Sequence, residues 1–349
     1  MAVPEMATNE GLSYSGEAHN TRGRIPKVTI LLTGATGFIG SEVVRQLAAT
    51  GQPTRVMVRR PSRAPLLAGF DVEPVYGDLT SIPSLARAVK GIDVVIHLGA
   101  RATFEPYPRL FPTMVQGTAH LARAAAEAGV GHIVYGSSMF AYDGSTAIGD
   151  DTVPSPALAY GRAKLDAEAA LARITEAGGP TVASIRLPHV YGPQSLLFGQ
   201  VRHRKVVFPG PGDNPFPHLH VEDAARVLIG AALQRWSGTA PVADDETVTW
   251  NDFFEILTTF APDTRVLRVP RGLAAGGAAV AGAVLGRRGP TMVSADTIKG
   301  WNLPLRLTSS RLWSELDLVP RYRGVLEGIP ACLDGSVAFR WRHPVFDRS

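Results

Sequence analysis

From residue 28 the chain alternates short, continuous apolar runs with longer stretches whose apolar positions recur every three or four residues. Residues 28–32 predict a first strand and 41–50 the helix that follows it. Residues 55–58, 72–76 and 94–98 predict three more strands, with a helix over 84–90 before the last of them. Residues 117–128 read as an Ala-rich helix, 132–135 as a strand, 163–176 as a long helix and 181–185 as another strand. The strand runs are apolar at successive positions rather than alternate ones, as in strands buried on both faces. Strand–helix alternation at this spacing implies right-handed crossovers between parallel strands. The expected fold class is α/β, a doubly wound parallel sheet of the Rossmann type with a smaller C-terminal lobe.

Beyond residue 187 the regularity fades. Pro and Gly cluster over 188–217, and helices resume at 221–234 and 250–260. The expected organisation is a mobile tail over 1–24 and a dinucleotide-binding domain over 25–187 with returns from 219–245. A mainly substrate-binding lobe would occupy 188–349.

Composition narrows the class. With 45% hydrophobic and 19% charged residues in 349, the chain is globular rather than disordered. Its one cysteine, Cys332, excludes an intrachain disulfide framework and points to a reducing, cytoplasmic setting. His97, His132, His189 and His220 lack metal-ligand spacing, so no metal is expected. A net charge of +4, without a basic stripe carrying interleaved aromatics, does not suggest nucleic acid as a partner. Residues 1–24 hold no apolar core of a secretory signal. The apolar run 273–285 is shorter than the roughly 20 residues a membrane span needs and contains Gly276, Gly277 and Gly282. No integral membrane segment is expected, and the run reads as a helix packed on the protein body or on a partner subunit, with a peripheral membrane contact flanked by Arg271, Arg287 and Arg288 as the alternative.

The chemistry begins in the turn after the first strand. Gly34, Gly37 and Gly40, with Thr36, Phe38 and Ile39 between them, would close a tight turn, admit a pyrophosphate to the backbone and pack the first helix on the strand. The helix N-terminus would then present free N–H groups to the phosphates. The second predicted strand is followed by Arg59 and Arg60, where an NAD site usually carries an acidic residue. Arginine there suits the 2′-phosphate of NADP, so NADP(H) is the expected cofactor and NAD(H) the alternative. Asp78, after the third strand, either accepts from an adenine amino group or serves a local turn.

Tyr160 and Lys164 are four residues apart at the start of a helix, on one face. A nearby ammonium stabilises a phenolate and lowers the tyrosine pKa, and its three donors can also hold ribose hydroxyls. The preceding strand ends in Gly136-Ser137-Ser138, at the sheet edge where doubly wound folds bind ligands. Ser138, with Ser137 as its rival, would orient a substrate oxygen while Tyr160 moves the proton.

Together these residues resemble the extended branch of the short-chain dehydrogenase/reductase superfamily, the epimerase/dehydratase-like family with dihydroflavonol-type reductases and 3β-hydroxysteroid dehydrogenases. The resemblance runs through Gly34/Gly37/Gly40, Gly77-Asp78-Leu79, His97-Leu98-Gly99-Ala100, Tyr160/Lys164, the stretch from Arg186 to Pro193, and His220 to Asp223. It implies that Leu79, Leu98, Gly99 and Ala100 lie along the cofactor. It places Pro188, His189 and Val190 beside the nicotinamide carboxamide, and makes Ser138, Tyr160 and Lys164 the catalytic triad. It also implies a homodimer through helices 117–128 and 163–176, whose Ala-rich faces equally suit packing on the sheet.

Three departures bear on substrate. Met114 stands where the branch often has Asn, removing a polar support. Met139 and Phe140 follow Ser138 where sugar dehydratases carry an acidic pair. Phe216 stands where nucleotide-sugar enzymes often place a diphosphate-binding Arg, a charge-assisted contact that Arg202 or Arg204 would have to replace. Phe104, Tyr107, Phe111, Met139 and Phe140 fall in segments expected to face the substrate, and a mostly apolar pocket suits an organic ketone or alcohol. The expected function is NADP(H)-dependent hydride transfer to or from such a small-molecule substrate. The alternative is a nucleotide-sugar 4-epimerase with tightly bound NAD.

Overall fold

The computed structural model describes residues 28–277 and 294–342. The expected tail over 1–24 and residues 278–285 of the apolar run lie outside the described residues. The strands in chain order are β1 (Ile30–Thr33), β2 (Thr54–Val58), β3 (Glu73–Tyr76), β4 (Val94–His97), β5 (His132–Ser138) and β6 (Thr181–Leu187). There follow β7 (His189–Tyr191), β8 (Lys205–Pro209), β9 (Pro215–Phe216), β10 (His218–His220), β11 (Gly238–Pro241), β12 (Val248–Thr249) and β13 (Arg265–Val269). The helices used below are α1 (Phe38–Ala49), α2 (Ile82–Ala88), α3 (Tyr107–Phe111), α4 (Gly117–Glu127), α5 (Ala159–Glu176), α6 (Leu196–Arg202), α7 (Val221–Gln234) and α8 (Trp250–Phe260).

Seven strands form one sheet in the order β11-β6-β5-β4-β1-β2-β3, every pair parallel. Alternate residues of a strand face opposite sides, and β1 shows why the sheet needs two covers. Ile30 and Leu32 belong to a core shared with Val43, Val44 and Leu47 of α1 and Val227 and Leu228 of α7. Leu31 belongs to the opposite core, with Leu85 of α2, Leu121 of α4 and Ala167 and Leu171 of α5. All three strand residues are fully buried, each burial stabilising by roughly 2 kcal/mol. Small side chains let α4 and α5 approach the sheet. Ala122, Ala124, Ala125 and Ala167 lie in that core, so these Ala-rich faces pack on the sheet and each other.

The strand order reverses beside β1, which pairs with β2 on one side and β4 on the other. That is the switch point at which such sheets open a crevice beyond their carboxyl ends. Beyond β6 the chain builds three two-stranded ribbons: parallel β7–β10, antiparallel β9–β12 and parallel β13–β8. They surround a second, aromatic-rich core containing Phe198, Phe208, Phe216, Trp250, Phe253 and Phe254. Met139, Tyr142, Ile148 and Leu158 contribute to the same core from before residue 187.

Two of the boundaries that differ from the sequence expectation matter most for the site. Helix α1 begins at Phe38, directly after Gly37, rather than at 41, because the glycine turn already supplies its first N–H groups. Helix α5 begins at Ala159, so Tyr160 sits inside its first turn. Its neighbour Gly161 packs against the turn Met139–Ala141, and a Cβ there would lie 1.8 Å from the Phe140 carbonyl oxygen. Replacing Gly161 with Ala is expected to cost about 2 kcal/mol and to lower the melting temperature by roughly 5 °C. Gly69→Ala, where a Cβ meets nothing within 4 Å, is the near-neutral control for the same thermal melt.

Candidate active site

A cleft of about 660 Å³ opens at the switch point, and all the catalytic and cofactor-binding residues expected from sequence line it. Its floor is the glycine turn. Gly34 has φ of +77°, and a Cβ there would lie 2.7 Å from the Leu98 carbonyl carbon. At Gly40 a Cβ would lie 2.1 Å from the Gly34 carbonyl oxygen. Both positions therefore require glycine, one for a left-handed turn and one for helix–strand contact. No side chain caps the N-terminus of α1, whose first turn holds no acidic residue. Its orphan N–H groups and the positive end of the helix dipole face the cleft through Phe38, Ile39 and Gly40, as a pyrophosphate requires. Thr36, Leu79, Leu98, Gly99 and Ala100 line the walls beside this turn.

At one end Arg59 and Arg60 enter the lining together with Arg63. Arg63 was not singled out from the sequence, although Arg59-Arg60-Pro61-Ser62-Arg63 contains the signal. It lies in a short 3₁₀ turn, Pro61–Leu67, that carries it back toward the cleft. Asp78 also lines this end. Its Oδ1 accepts from the Thr80 backbone N–H at 2.9 Å and the Thr80 hydroxyl at 2.7 Å. These bonds, foremost that from the Thr80 backbone, hold its carboxyl below the usual carboxylate range, with help from the Arg59 charge. Asp78 thus serves the local turn while remaining in the lining.

At the centre Ser138, Tyr160 and Lys164 come together. Successive strand residues point oppositely, and the two serines part company accordingly. The Ser137 hydroxyl donates to Glu168, which also accepts from Arg186 at 3.1 and 2.7 Å. Arg186 in turn donates to the Tyr142 hydroxyl at 2.7 Å. Ser137 is thereby tied into a buried ion-pair network beneath the edge. Among the described residues the Ser138 oxygen accepts only from the Phe140 N–H, at 3.2 Å, which leaves its own proton available to donate.

Lys164 donates to the Gly136 carbonyl at 2.5 Å and lies 4.8 Å from the centre of the Tyr135 ring and 5.8 Å from that of Tyr160. Burial lowers its pKa to about 8, opposed by the Glu168 carboxylate. Burial pushes the Tyr160 phenol up to about 12. The lowered tyrosine pKa expected from sequence is therefore corrected: desolvation outweighs an ammonium engaged with a backbone carbonyl. In this protein Tyr160 rests as a neutral acid.

A directed chain of hydrogen bonds supports the edge from behind. The Gly99 N–H donates to Thr33 Oγ1 at 3.0 Å, and Thr33 Oγ1 meets His97 Nδ1 at 2.7 Å. His97 Nε2 meets Thr118 Oγ1 at 3.0 Å, and the Thr118 hydroxyl donates to the Met114 carbonyl at 2.6 Å. Only one proton order satisfies it: Thr33 donates to Nδ1, and Nε2–H donates to Thr118. Burial keeps this imidazole neutral, lowering its pKa to about 3, aided by the Lys164 charge. Met114 itself packs with Leu110, Val115 and Ala163. An apolar cluster thus occupies the place where an Asn support was missed in the sequence.

The other end is aromatic. Phe104, Phe140, Phe216, Trp250 and Trp301 line it, with Pro188, His189 and Val190 beside them. Phe104 and Phe140 are where the sequence reading expected them, but Tyr107, Phe111 and Met139 are not in the lining. The Tyr107 hydroxyl is drawn to Asp166 of α5, Phe111 packs beside Tyr107 at 5.7 Å, and Met139 is buried in the second core. Trp250 and Trp301 were not anticipated. The helix expected over 250–260 is present and starts with a Thr249/Asp252 capping box, but its return to the cleft depends on the tertiary path. Arg202 and Arg204 do not line the cleft; Arg202 donates to the Pro193 carbonyl and Arg204 faces Asp263.

Residues 30–241 match the NAD dependent epimerase/dehydratase family. A ceramide reductase of Caulobacter vibrioides is 30% identical over 252 residues, 69% of this chain and 73% of that protein. A 3-beta-hydroxysteroid dehydrogenase of Mycolicibacterium neoaurum is 37% identical over 135 residues, 36% of each chain. Among solved structures, MoeE5 in complex with UDP-glucose and NAD superposes with a TM-score of 0.71 at 24% identity, covering 89% of this chain and 99% of that one. At that identity the likeness concerns the fold.

The hydrogen-bonded chain makes a direct prediction. Thr33→Val strands the Gly99 N–H and His97 Nδ1, and denaturant unfolding is expected to show a loss of about 2 kcal/mol. Thr33→Ser, which keeps the hydroxyl, should recover most of it.

Proposed function

Because this chain belongs to the NAD dependent epimerase/dehydratase family, and so is an NAD(P)-dependent oxidoreductase, we propose that it reduces the carbonyl of a small, largely apolar organic substrate with NADPH. The observation that carries this reading is how charge is distributed along the cleft. Among the lining residues, Arg59, Arg60 and Arg63 gather at one end, Lys164 stands at the centre, and the far end is aromatic and neutral. Three arginines suit a 2′-phosphate. Among the described residues, a phosphorylated sugar would find no cation at the aromatic end, where Phe216 occupies the expected arginine position. The 4-epimerase reading would use the same triad but needs a diphosphate site that this lining does not supply.

A nicotinamide cofactor held along the glycine turn and by Lys164 would supply the hydride that the carbonyl carbon accepts. The Ser138 hydroxyl donates to the carbonyl oxygen and fixes its position. As negative charge develops there, the Tyr160 phenol gives its proton, so that the product is the neutral alcohol. A neutral phenol is the correct resting state for this direction. Lys164 stabilises the phenolate left behind and holds ribose hydroxyls with its other donors. Phe104 and Phe140 set their rings edge-on to Tyr160, at 5.6 and 6.2 Å, and keep water from the proton being moved.

Two measurements test this reading. Arg59→Ala is expected to weaken NADPH binding about tenfold while changing NADH binding less than about twofold; equal loss for both would refute the 2′-phosphate assignment. The second concerns pH. Tyr160 stays protonated up to about 12, whereas Lys164, its pKa lowered to about 8, loses its charge as pH rises through that value. The kcat/KM for ketone reduction should be level below that pH and fall above it. A profile that stays level well into the alkaline range contradicts the role of Lys164.

A further inference from the structure

One polar group at the aromatic end that the triad leaves unused is His189. It lies directly opposite His218 across the β7–β10 ribbon, and the two imidazoles meet Nδ1 to Nδ1 at 2.9 Å with their planes 82° apart. His218 is fully buried. Trp250, Phe253 and Trp301 surround His189 with ring centres at 4.9, 6.1 and 5.8 Å. Burial holds both rings neutral: the pKa of His189 falls to about 3, and that of His218 falls well below its usual value.

Two neutral imidazoles joined Nδ1 to Nδ1 share one proton on that contact. One ring donates and the other accepts, and the outer nitrogen of each takes the opposite state. The outer nitrogen of His218, Nε2, is sealed without a partner, and so is the Trp250 Nε1–H, in rings whose centres are 4.9 Å apart. Buried orphan N–H groups are rarer than under-satisfied acceptors. If His189 donated, His218 would bury a second orphan N–H beside that of Trp250. The opposite order leaves one donor and one bare acceptor. His218 therefore donates from Nδ1, and His189 carries its proton on Nε2. His189 lines the cleft, and its Nε2 is not among the sealed atoms.

We propose that His189 is a specificity-determining residue that offers an Nε2–H to a second, neutral oxygen acceptor on the substrate, and that His218 is the positioning residue that fixes this tautomer. The substrate class is then a ketone bearing a further carbonyl, ester or hydroxyl oxygen, within an otherwise aromatic pocket. The inference rests on the reductase reading for its substrate, but not for its proton order.

The test has two independent arms. In protein labelled with ¹⁵N-histidine, long-range ¹⁵N–¹H correlation should show His218 protonated at Nδ1 and His189 at Nε2, with neither ring titrating between about pH 5 and pH 8. His189 protonated at Nδ1 overturns the proposal, whatever the enzyme's activity. In the kinetic arm, reduction by NADPH is compared for an ethyl β-keto ester with a pentyl chain and for the dialkyl ketone of equal length in which the ester oxygens are replaced by methylene groups. The ester-to-ketone ratio of kcat/KM should fall about tenfold in His189→Leu, the loss of one hydrogen bond. The ratio should fall likewise in His218→Phe, and His218→Asn, whose amide can still donate to Nδ1, should restore it. An unchanged ratio in His189→Leu shows a purely structural role and overturns the proposal. If the wild type reduces neither substrate while the spectrum shows the expected protons, it is the reductase reading that fails.

Discussion

A parallel sheet whose central strands are apolar on both faces can open a site to solvent only at the ends of those strands, and this constraint organises the whole molecule. Leu31 faces one helical layer while Ile30 and Leu32 face the other, so the crossovers must cover both sides and the connecting loops must emerge at the edges. At the carboxyl edge beside β1 the order reverses. There the glycine turn, the Leu98-Gly99-Ala100 segment and the end of β5 face a single crevice. The cleft is what remains when the sheet has buried everything it can.

Within that cleft, desolvation governs the chemistry more than pairwise charge does. It keeps Tyr160 a phenol, brings Lys164 down toward neutrality and holds His97, His189 and His218 uncharged. The buried Glu168 carboxylate beneath the sheet edge is satisfied in a network that binds Arg186 and Ser137 together, as an uncompensated buried charge would be costly. The neutral imidazoles do a different service. Their hydrogen bonds have a direction, and that direction carries order from Gly99 to Met114 and from His218 to the substrate end.

Most of the sheet was legible in the sequence because its strands are continuous apolar runs separated by helical periodicity. The glycine turn, Tyr160/Lys164 and Arg59-Arg60 were legible because their chemistry is local: a turn that demands glycine, one helical turn of spacing, one strand end. The substrate end was not. Trp250 and Trp301 reach the cleft along a tertiary path that no local pattern encodes, and Tyr107 and Met139 were drawn away from it by Asp166 and the second core. The choice between Ser137 and Ser138 also needed the structure, since only Glu168 separates them. The tyrosine pKa was misjudged because spacing reveals a nearby ammonium but not the depth of burial.

The claim on which the account stands is that hydride leaves the site on an organic carbonyl rather than returning to the sugar it came from. The most direct measurement uses NADPH carrying deuterium at the transferable nicotinamide position, incubated with the protein and a ketone panel, with the products read by mass spectrometry. The account predicts one deuterium on the carbinol carbon of the alcohol, formed stoichiometrically with cofactor oxidation. Absence of label from every alcohol, with inversion of a UDP-sugar in the absence of added cofactor, would contradict it.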